Sequence, residues 1–445
     1  MTRPFGRAIA TAILGAVAGA TWLVLFYGTA PALQVDFDTS PPGLVTGIYP
    51  AERDRASGLT FAWTGGEASM RLPGIPRQVE WVLVMRVRGA RVEGNPTVEL
   101  FADGLVVSSY ATAPDFENVR ITIPARPQRS GLTVTLRVSD TFVPGPHDPR
   151  SLGVMVDWLR LEPSGAVLAP RRAFAGTLLA SAAMGAAIAL LGVTPGSAVG
   201  AVILLSAGIA AAIARGFGPY TEFPDLAVRL AVWIGLLSTA LTLAVEAGRR
   251  EPLRNTAKFA AAFSASALLL ELLVLLHPDM PIGDALFHAH RFRDVVAGNF
   301  HFTSIAPGGY RFPYAPGLYV VALPFADFVR PGTGDTMLLR IIVCAGHAAA
   351  GILLYSAVVR NGGDRLAAAI TVGLHHLMPL SFRVVTVGNL TNAFAQSLSV
   401  AVLFLMATAS VGFDRPLALA LFAAVVAAAF LSHTGTFAIL VVAML

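Results

Sequence analysis

Charge is scarce in this chain. Only 13% of its 445 residues are Asp, Glu, Lys or Arg, and Lys258 is its single lysine. A soluble globular domain carries about 25% charged residues, so an ordinary water-facing surface over the whole length is excluded. Cysteine is scarcer: Cys344 stands alone inside an apolar run. No disulfide can form within the chain, and any part outside the cell must fold without staples. Nucleotide motifs are also missing. There is no G-x-x-x-x-G-K-[ST] and no Rossmann fingerprint, and "GTGDTM" (332–337) is not a phosphate loop. No soluble cytoplasmic segment is long enough for a nucleotide-binding domain, which disfavours ATP drive or a nucleotide-sugar donor.

What abounds is apolar sequence, 55% of the chain, with mean hydropathy +0.66. Several uncharged runs reach the ~20 residues that cross a hydrocarbon core as a helix. The reading is an integral, multi-pass protein of the plasma (inner) membrane. The net charge of +5 comes from basic residues at the ends of apolar runs, which is a topology signal and not one for nucleic acid. Arg3 and Arg7 precede a first span at about 8–29, placing the N-terminus in the cytoplasm. A signal peptide cleaved after "YGTA" or "APA" is the alternative.

Residues 33–165 differ in kind. Segments such as "QVEWVLVMRVRGARV", "PTVELFADGLVVSSY", "NVRITIPAR" and "GLTVTLRVSD" alternate apolar and polar residues between Gly, Pro, Asn and Asp. That pattern predicts antiparallel strands with one buried face, spaced as in a sandwich. In "LGVMVDWLRLEP", Val154, Val156 and Trp158 are expected to alternate with Met155, Asp157 and Leu159. The predicted fold is therefore a polytopic α-helical membrane protein with an inserted extracytoplasmic all-β sandwich. Its parts are an anchor (1–32), the sandwich (33–165), further spans (166–256) and a helical region (257–445) with an outer loop at 277–335.

Spans are expected at 172–192, 197–214, 225–246, 257–276, 336–357, 366–382, 393–411 and 416–431. A last run from about 434 is still apolar at Leu445, as in a span cut short. Counting from a cytoplasmic N-terminus puts Arg249, Arg250, Arg254 and Lys258, then Arg360 and Arg365, then Arg415, inside. Arg171 and Arg172 fall outside, beside a large translocated domain. "FPYAPGLYVVALPFADF" (312–328) is short and holds Pro313, Pro316 and Pro324. It is expected to lie at the interface or re-enter, since a span there would reverse every later loop.

The titratable groups collect in "HPDMPIGDALFHAHRFRDVV" (277–296), where an apolar run ends. If "DALFHAHR" is helical, Asp284, His288 and Arg291 share one face at i, i+4 and i+7, and His290 and Arg293 point elsewhere. A carboxylate there suits proton abstraction from a hydroxyl, and the cations suit a phosphate leaving group. Arg311, Tyr310 and Tyr314 follow in "GGYRFPYAPG". The plainer alternative is a wet loop whose charges snorkel or pair.

A span ending outside, an acidic residue before "FHAHR", then "FPYAPGLY" and a span starting near "LLR" together resemble the first extracytoplasmic loop of the GT-C glycosyltransferase superfamily. That group includes protein O-mannosyltransferases, lipid A aminoarabinose transferases and oligosaccharyltransferase catalytic subunits. The resemblance covers roughly 257–445. It implies a polyprenyl-phosphate-linked sugar donor, an envelope glycan, lipid or protein acceptor, and catalysis at the bilayer surface. It makes Asp284 the base or acceptor anchor, with Asp279 the runner-up, and His288 the partner of Asp284. Substrate contacts fall to Arg291, Arg311, His290 and Tyr314, with Arg383 and Asn389 from the next outer loop. The resemblance allows a divalent cation, but the loop "PLSFRVVTVGNLTNAFAQ" lacks the second acidic residue of many members, which disfavours a metal-dependent mechanism. The four spans and β-domain before the loop are a further departure. "VSDTFVPGPHDPRSLGVMVDWLRLEP" is similar to the jelly-roll of galactose-binding-like and carbohydrate-binding modules.

Other ionisable residues lie in apolar runs. Glu271 within "ALLLELLVLLH" is functional by default, though a structural bond to a neighbouring helix is preferred. His375 and His376 point about 100° apart on a helix, which disfavours a shared metal. A zinc site from His288 and His290 needs a non-helical backbone and further ligands. His433 sits at a helix end, near where donor phosphate would lie. Three functions remain: a glycosyltransferase, an envelope glycolipid transporter or flippase, and a non-catalytic sugar-binding scaffold. A transporter should show paired broken spans or an internal repeat, and no clear repeat is visible.

Overall fold

The structure, a computed structural model, describes all residues except 1, 30–31, 38–43, 55–57, 90–93, 216–219, 279, 281–282, 306–308, 409–414 and 445. Helix α1 (Thr2–Gly28) is followed by ten strands: β1 (Leu33–Asp36), β2 (Val45–Ile48), β3 (Glu52–Arg53), β4 (Thr60–Pro76), β5 (Trp81–Arg88), β6 (Thr97–Ala102), β7 (Leu105–Ala111), β8 (Glu117–Ile123), β9 (Ser130–Val138) and β10 (Met155–Pro163). The chain divides into two compact units. One holds all ten strands, within Val17–Leu179, together with Ser206–Val228; the other is mostly helical, comprising Met1–Ala16, Ala180–Leu205 and Arg229–Leu445.

The strands pair antiparallel in the order β7-β6-β9-β4-β10-β5-β8, with β1 on β10 and both β2 and β3 on β4. Strand β4 serves two halves: Ala62 and Trp63 pair with β10, and Glu67 onward pairs with β9. Gly65 and Gly66 stand between these stretches, where a strand that changes partners needs a pliant backbone. The expected alternation is plain in β5, where Trp81, Leu83, Met85 and Val87 are fully buried. It fails in β10. Its register shifts between Val156 and Leu159, so Leu159 and Leu161 are buried with Val154 and Val156 while Trp158 is half-buried. The shift also buries Asp157, which accepts a 2.8 Å hydrogen bond from Arg86.

The Asp103–Gly104 hairpin turn has φ of +54° and +81°, the conformation for which Asp-Gly is suited. The Asp103 carboxylate accepts from Arg77 at 3.1 Å and from the Thr133 N–H at 2.9 Å, holding the turn against β9.

The helical elements are α2 (Arg171–Leu190), α3 (Pro195–Arg215), α4 (Phe223–Arg249), α5 (Asn255–Leu275), α6 (Ala285–Val296), the hairpin β11 (Thr303–Ile305) and β12 (Arg311–Pro313), α7 (Gly317–Ala322), α8 (Thr333–Arg360), α9 (Arg365–Leu377), α10 (Pro379–Thr386), α11 (Leu390–Thr408), α12 (Pro416–Phe430) and α13 (Thr434–Met444). Among the described residues, eight helical segments are long and apolar enough to cross a membrane, with α9 and α10 together making one. The stretch expected at 416–431 is a 15-residue helix, short of the ~20 that span. Residues 317–328 form α7 and a 3-10 turn, Leu323–Phe328. The apolar run 366–382 is broken: Met378 is extended at φ −70°, ψ 112°, ahead of Pro379. Proline disfavours a helical residue before it and offers no N–H to the preceding turn.

Helices α5, α8 and α9 pack around Ala260, Tyr355, Ala368 and Val372. Asp364 caps α9 by accepting from Leu366 and Ala367 N–H at 2.8 and 3.1 Å. The buried Arg340 of α8 donates to the Leu275 carbonyl at 2.6 Å, satisfying an acceptor left open at the end of α5.

Candidate functional site

Asp284 stands at the N-cap position of α6, with φ −70° and ψ −5° and no side-chain cap bond. Its backbone N–H donates to the Val387 carbonyl at 3.3 Å. Gly283 (φ +53°) and Gly388 (φ +85°) make this approach possible. A Cβ on Gly283 would lie 2.6 Å from the Val387 oxygen, and one on Gly388 would lie 2.7 Å from the Asp284 and Ala285 nitrogens. Two touching glycine turns therefore bring the segments around Asp284 and Asn389 together, a pairing that sequence separation conceals. The Asp284 carboxylate is exposed and Asn389 half-buried.

His288 does not partner the Asp284 carboxylate as expected. Its side chain points into the protein, 1% exposed, and Nδ1 lies 2.8 Å from the Tyr319 hydroxyl and 3.4 Å from that of Tyr314. It bonds to Asp284 through the backbone, His288 N–H donating to the Asp284 carbonyl at 3.1 Å. The reason is register: Asp284 precedes the helix and is exposed, whereas His288 lies on the buried face of α6 with Ala285, Ala289, Phe292 and Val295. Burial holds the His288 pKa down to about 4, against a hydrogen bond to the Gly388 backbone that works the other way. The ring is neutral at pH 7 and is not a phosphate cation. Burial likewise raises the Tyr314 and Tyr319 phenols, keeping them protonated.

Arg291 is half-buried and donates to the His301 and Thr303 carbonyls at 3.0 and 3.1 Å. Its guanidinium carbon lies 6.0 Å from the Tyr314 ring centroid. It thereby anchors the β11–β12 hairpin, whose Ile305↔Arg311 pair carries the exposed Arg311. Arg293 pairs with the buried Asp335, which also accepts from the Gly332 N–H at 2.7 Å and so joins α6 to the start of α8. His290 is exposed on α6 and Arg383 is exposed on α10. With His288 buried and His290 exposed on one continuous helix, these two do not converge. Asp279 lies outside the described residues.

Thr391 and Thr436, which the sequence did not single out, complete the patch around Tyr314 and His433. The Tyr314 hydroxyl is 3.4 Å from Thr391 Oγ1. Thr436 Oγ1 donates to Asn392 Oδ1 at 2.8 Å and lies 3.0 Å from His433 Nδ1. A cavity of ≈ 130 Å³ opens between Tyr314, Thr391 and the Ser432–Gly435 turn. It is roomy enough for ordered water or a small polar group. Burial lowers the His433 pKa.

A second cluster lies among α5, α8 and α9. Glu271 Oε1 is 2.8 Å from His347 Nδ1 and 3.8 Å from His376 Nδ1. His347, His375 and His376 each bring a ligand-capable atom within 4.8 Å of the others. The expected divergence of His375 and His376 does not keep their rings apart: the centroids are 5.0 Å from each other, and His347 of the facing helix lies 4.3 and 5.0 Å from them. His347 was legible only as an ionisable residue in an apolar run, a functional signal in itself. Beside the cluster is a largely apolar cleft of ≈ 560 Å³, lined by Phe259, Phe263, Leu270 and Phe382 together with Glu271 and His376.

In the β-domain, Arg86 and Arg88 lie over the Phe116 ring at 5.3 and 5.9 Å. They line a cleft of ≈ 520 Å³ with Asp54, Asp115 and Phe61.

No protein-family model matches the chain, and no curated protein matches it. Among solved structures, it is similar to the C-terminal CBM6 of LamC from Zobellia galactanivorans, at 14% identity and TM-score 0.21 over 30% of this chain and 99% of that one. It is also similar to a family 35 carbohydrate binding module from Clostridium thermocellum, at 11% identity and TM-score 0.21 over 30% and 98%. The CBM22-1 xylan-binding domain from Paenibacillus barcinonensis Xyn10C matches at 12% identity and TM-score 0.25 over 31% and 97%.

Proposed function

We infer that the chain is a membrane glycosyltransferase, moving a sugar from a polyprenyl-phosphate-linked donor to an envelope glycan, lipid or protein at the outer membrane surface. The observation that carries this reading is the exposed Asp284 carboxylate at the start of α6, held by the Asp284–Val387 backbone bond beside Asn389. Asp284 takes the proton of an acceptor hydroxyl. The oxygen attacks the anomeric carbon, and the carbon–oxygen bond to phosphate breaks. The polyprenyl phosphate leaves with the bonding pair, its charge met by Arg311 and Arg383, both exposed, with Arg291 holding the hairpin on which Arg311 stands. His288 shapes the floor and takes no proton.

The test is transfer by purified protein from a panel of radiolabelled polyprenyl-phosphate sugars. Asp284→Asn keeps the shape and removes the basic carboxylate, with an expected loss of ~10²–10⁴-fold. Asp294→Asn on the same helix should be much milder. Full transfer by Asp284→Asn would show that another group is the base, and Asp279 is the next to examine.

A second reading, glycan binding without catalysis, is favoured by the β-domain cleft, where the Phe116 face stands among Arg86, Arg88, Asp54 and Asp115. Glycan titration of the full chain distinguishes the two. Binding lost in Phe116→Ala, with no transfer by wild type from any donor, would select the binding role.

A further inference from the structure

We propose that His347, His375 and His376 form a binding site for a divalent transition-metal ion of the zinc class, within the helical unit. The chemistry starts from where the hydrogens sit. His375 Nε2 lies 3.1 Å from the His347 carbonyl oxygen. A carbonyl only accepts, so Nε2 carries the hydrogen and Nδ1 is left with its lone pair. His347 Nδ1 lies 2.8 Å from Glu271 Oε1. The carboxylate accepts there, and Nε2 of that ring, buried and with no hydrogen-bond partner among the described residues, keeps its lone pair. His376 Nε2 lies 3.0 Å from Ser264 Oγ, and its Nδ1 is buried, makes no hydrogen bond and faces Glu271 Oε1 at 3.8 Å. We assign Nε2–H as donor to Ser264, the tautomer in which this third ring also keeps a lone pair, on Nδ1.

Three imidazoles thus each tie one nitrogen to an outer acceptor, namely Glu271, a backbone carbonyl and a serine, and leave the other open. This is how metal-bound histidines are held by their surroundings. The ring centroids are 4.3, 5.0 and 5.0 Å apart. Zinc–nitrogen bonds of 2.0–2.1 Å in tetrahedral geometry place ligand nitrogens about 3.4 Å apart, and one ring nitrogen of each histidine already lies within 4.8 Å of the others. A single proton quenches one lone pair; a metal ion accepts all three.

The surroundings are built for the rings. A Cβ on Gly351 would lie 2.7 Å from His376 Nε2, so α8 has no side chain where the ring enters. The His376 side chain is 1% exposed, and those of His347 and Glu271 are 13% exposed. The break after Leu377 ends α9 one residue beyond the pair. An all-imidazole set suits zinc, copper, iron or nickel, whereas calcium and magnesium take oxygen ligands. The ≈ 560 Å³ cleft lined by Glu271 and His376 gives a fourth position access to water or an anionic group. The Glu271 carboxylate offsets part of the ion's charge.

The test uses the full chain in detergent, purified through a tag free of histidine. After equilibration with micromolar zinc chloride and gel filtration, wild type should retain about one zinc per chain by mass spectrometry. A cobalt(II) titration should give the visible absorption of a four- or five-coordinate site, which excess magnesium does not displace. The double variant His375→Gln/His376→Gln and the single variant His347→Gln should each lower bound zinc at least tenfold. The control His147→Ala in the β-domain should not. Glu271→Gln should weaken zinc binding ~10–100-fold, as lost outer partners do. Wild type without zinc above the buffer level, or a double variant with undiminished zinc, overturns the proposal. The wild-type measurement does so even where a variant fails to fold.

Discussion

The two units both pair buried carboxylates with arginine, and they differ in the histidine cluster that the helical unit adds. In the strand-bearing unit, the buried carboxylates Asp103 and Asp157 are each closed by an arginine, Arg77 and Arg86. The helical unit also has a closed pair, Arg293 with Asp335, but its histidine cluster leaves acceptors open. The carboxylates of these pairs find hydrogen bonds within the fold, although Arg77 Nε and Nη1 are buried without a partner, and loss of such a pair is felt as stability. On the proposed tautomers the open lone pairs of the three imidazoles converge, and a metal ion completes them. His288 shows that burial alone is no sign of function, because tyrosine hydroxyls satisfy its ring.

The comparison breaks most readily at Arg77. Its side chain is fully buried and that of Asp103 is 5% exposed. Arg77→Ala strands the carboxylate and should cost about 3–5 kcal/mol, read by denaturation of the full chain followed by tryptophan fluorescence. A change within 1 kcal/mol would mean that the pair is not a closed element of the core. His288 sharpens the contrast through pH. Its folded pKa of about 4 lies below the ordinary 6.5, so the unfolded chain binds the extra proton between these values. Its contribution is complete above pH 6.5 and is lost as pH falls toward 4, by about 3 kcal/mol. Melting of wild type against His288→Gln from pH 7.5 to 4 should show a steeper acid loss in wild type, and parallel curves would refute a neutral buried ring.

Gly388→Ala tests the glycine contact that sets Asp284. The added methyl meets the Asp284 and Ala285 nitrogens, and such overpacking costs about 1–3 kcal/mol. Transfer should fall although Asp284 is intact; unchanged transfer and melting would show that the contact positions nothing. The smallest effect belongs to the exposed pair Arg137–Glu67, whose side chains are each 56% exposed. Glu67→Gln should shift stability by about 0–1 kcal/mol. A larger loss would erase the distinction between closed buried pairs and solvated ones.

The amino-acid sequence by itself determined the two kinds of structure, because hydrophobic period is a local property. Alternation at 81–88 and apolar runs such as 255–275 are legible residue by residue. It also located the Asp284 turn, where charges gather after an apolar run. The β10 register shift was not legible, since pairing with β5 decides which residues face inward. Pro379 marked the break in α9–α10, but the continuous hydropathy of 366–382 outweighed it. Only the tertiary structure decided the sites. Gly283 and Gly388 lie over a hundred positions apart, and so do Glu271 and His376. Helix packing brings such residues together, and the packing follows from side-chain shape summed over many contacts. The same packing turned His288 inward to Tyr319 and made His347 the meeting point of two neighbouring histidines. Residue types announced which groups are capable of chemistry; their convergence depended on the fold.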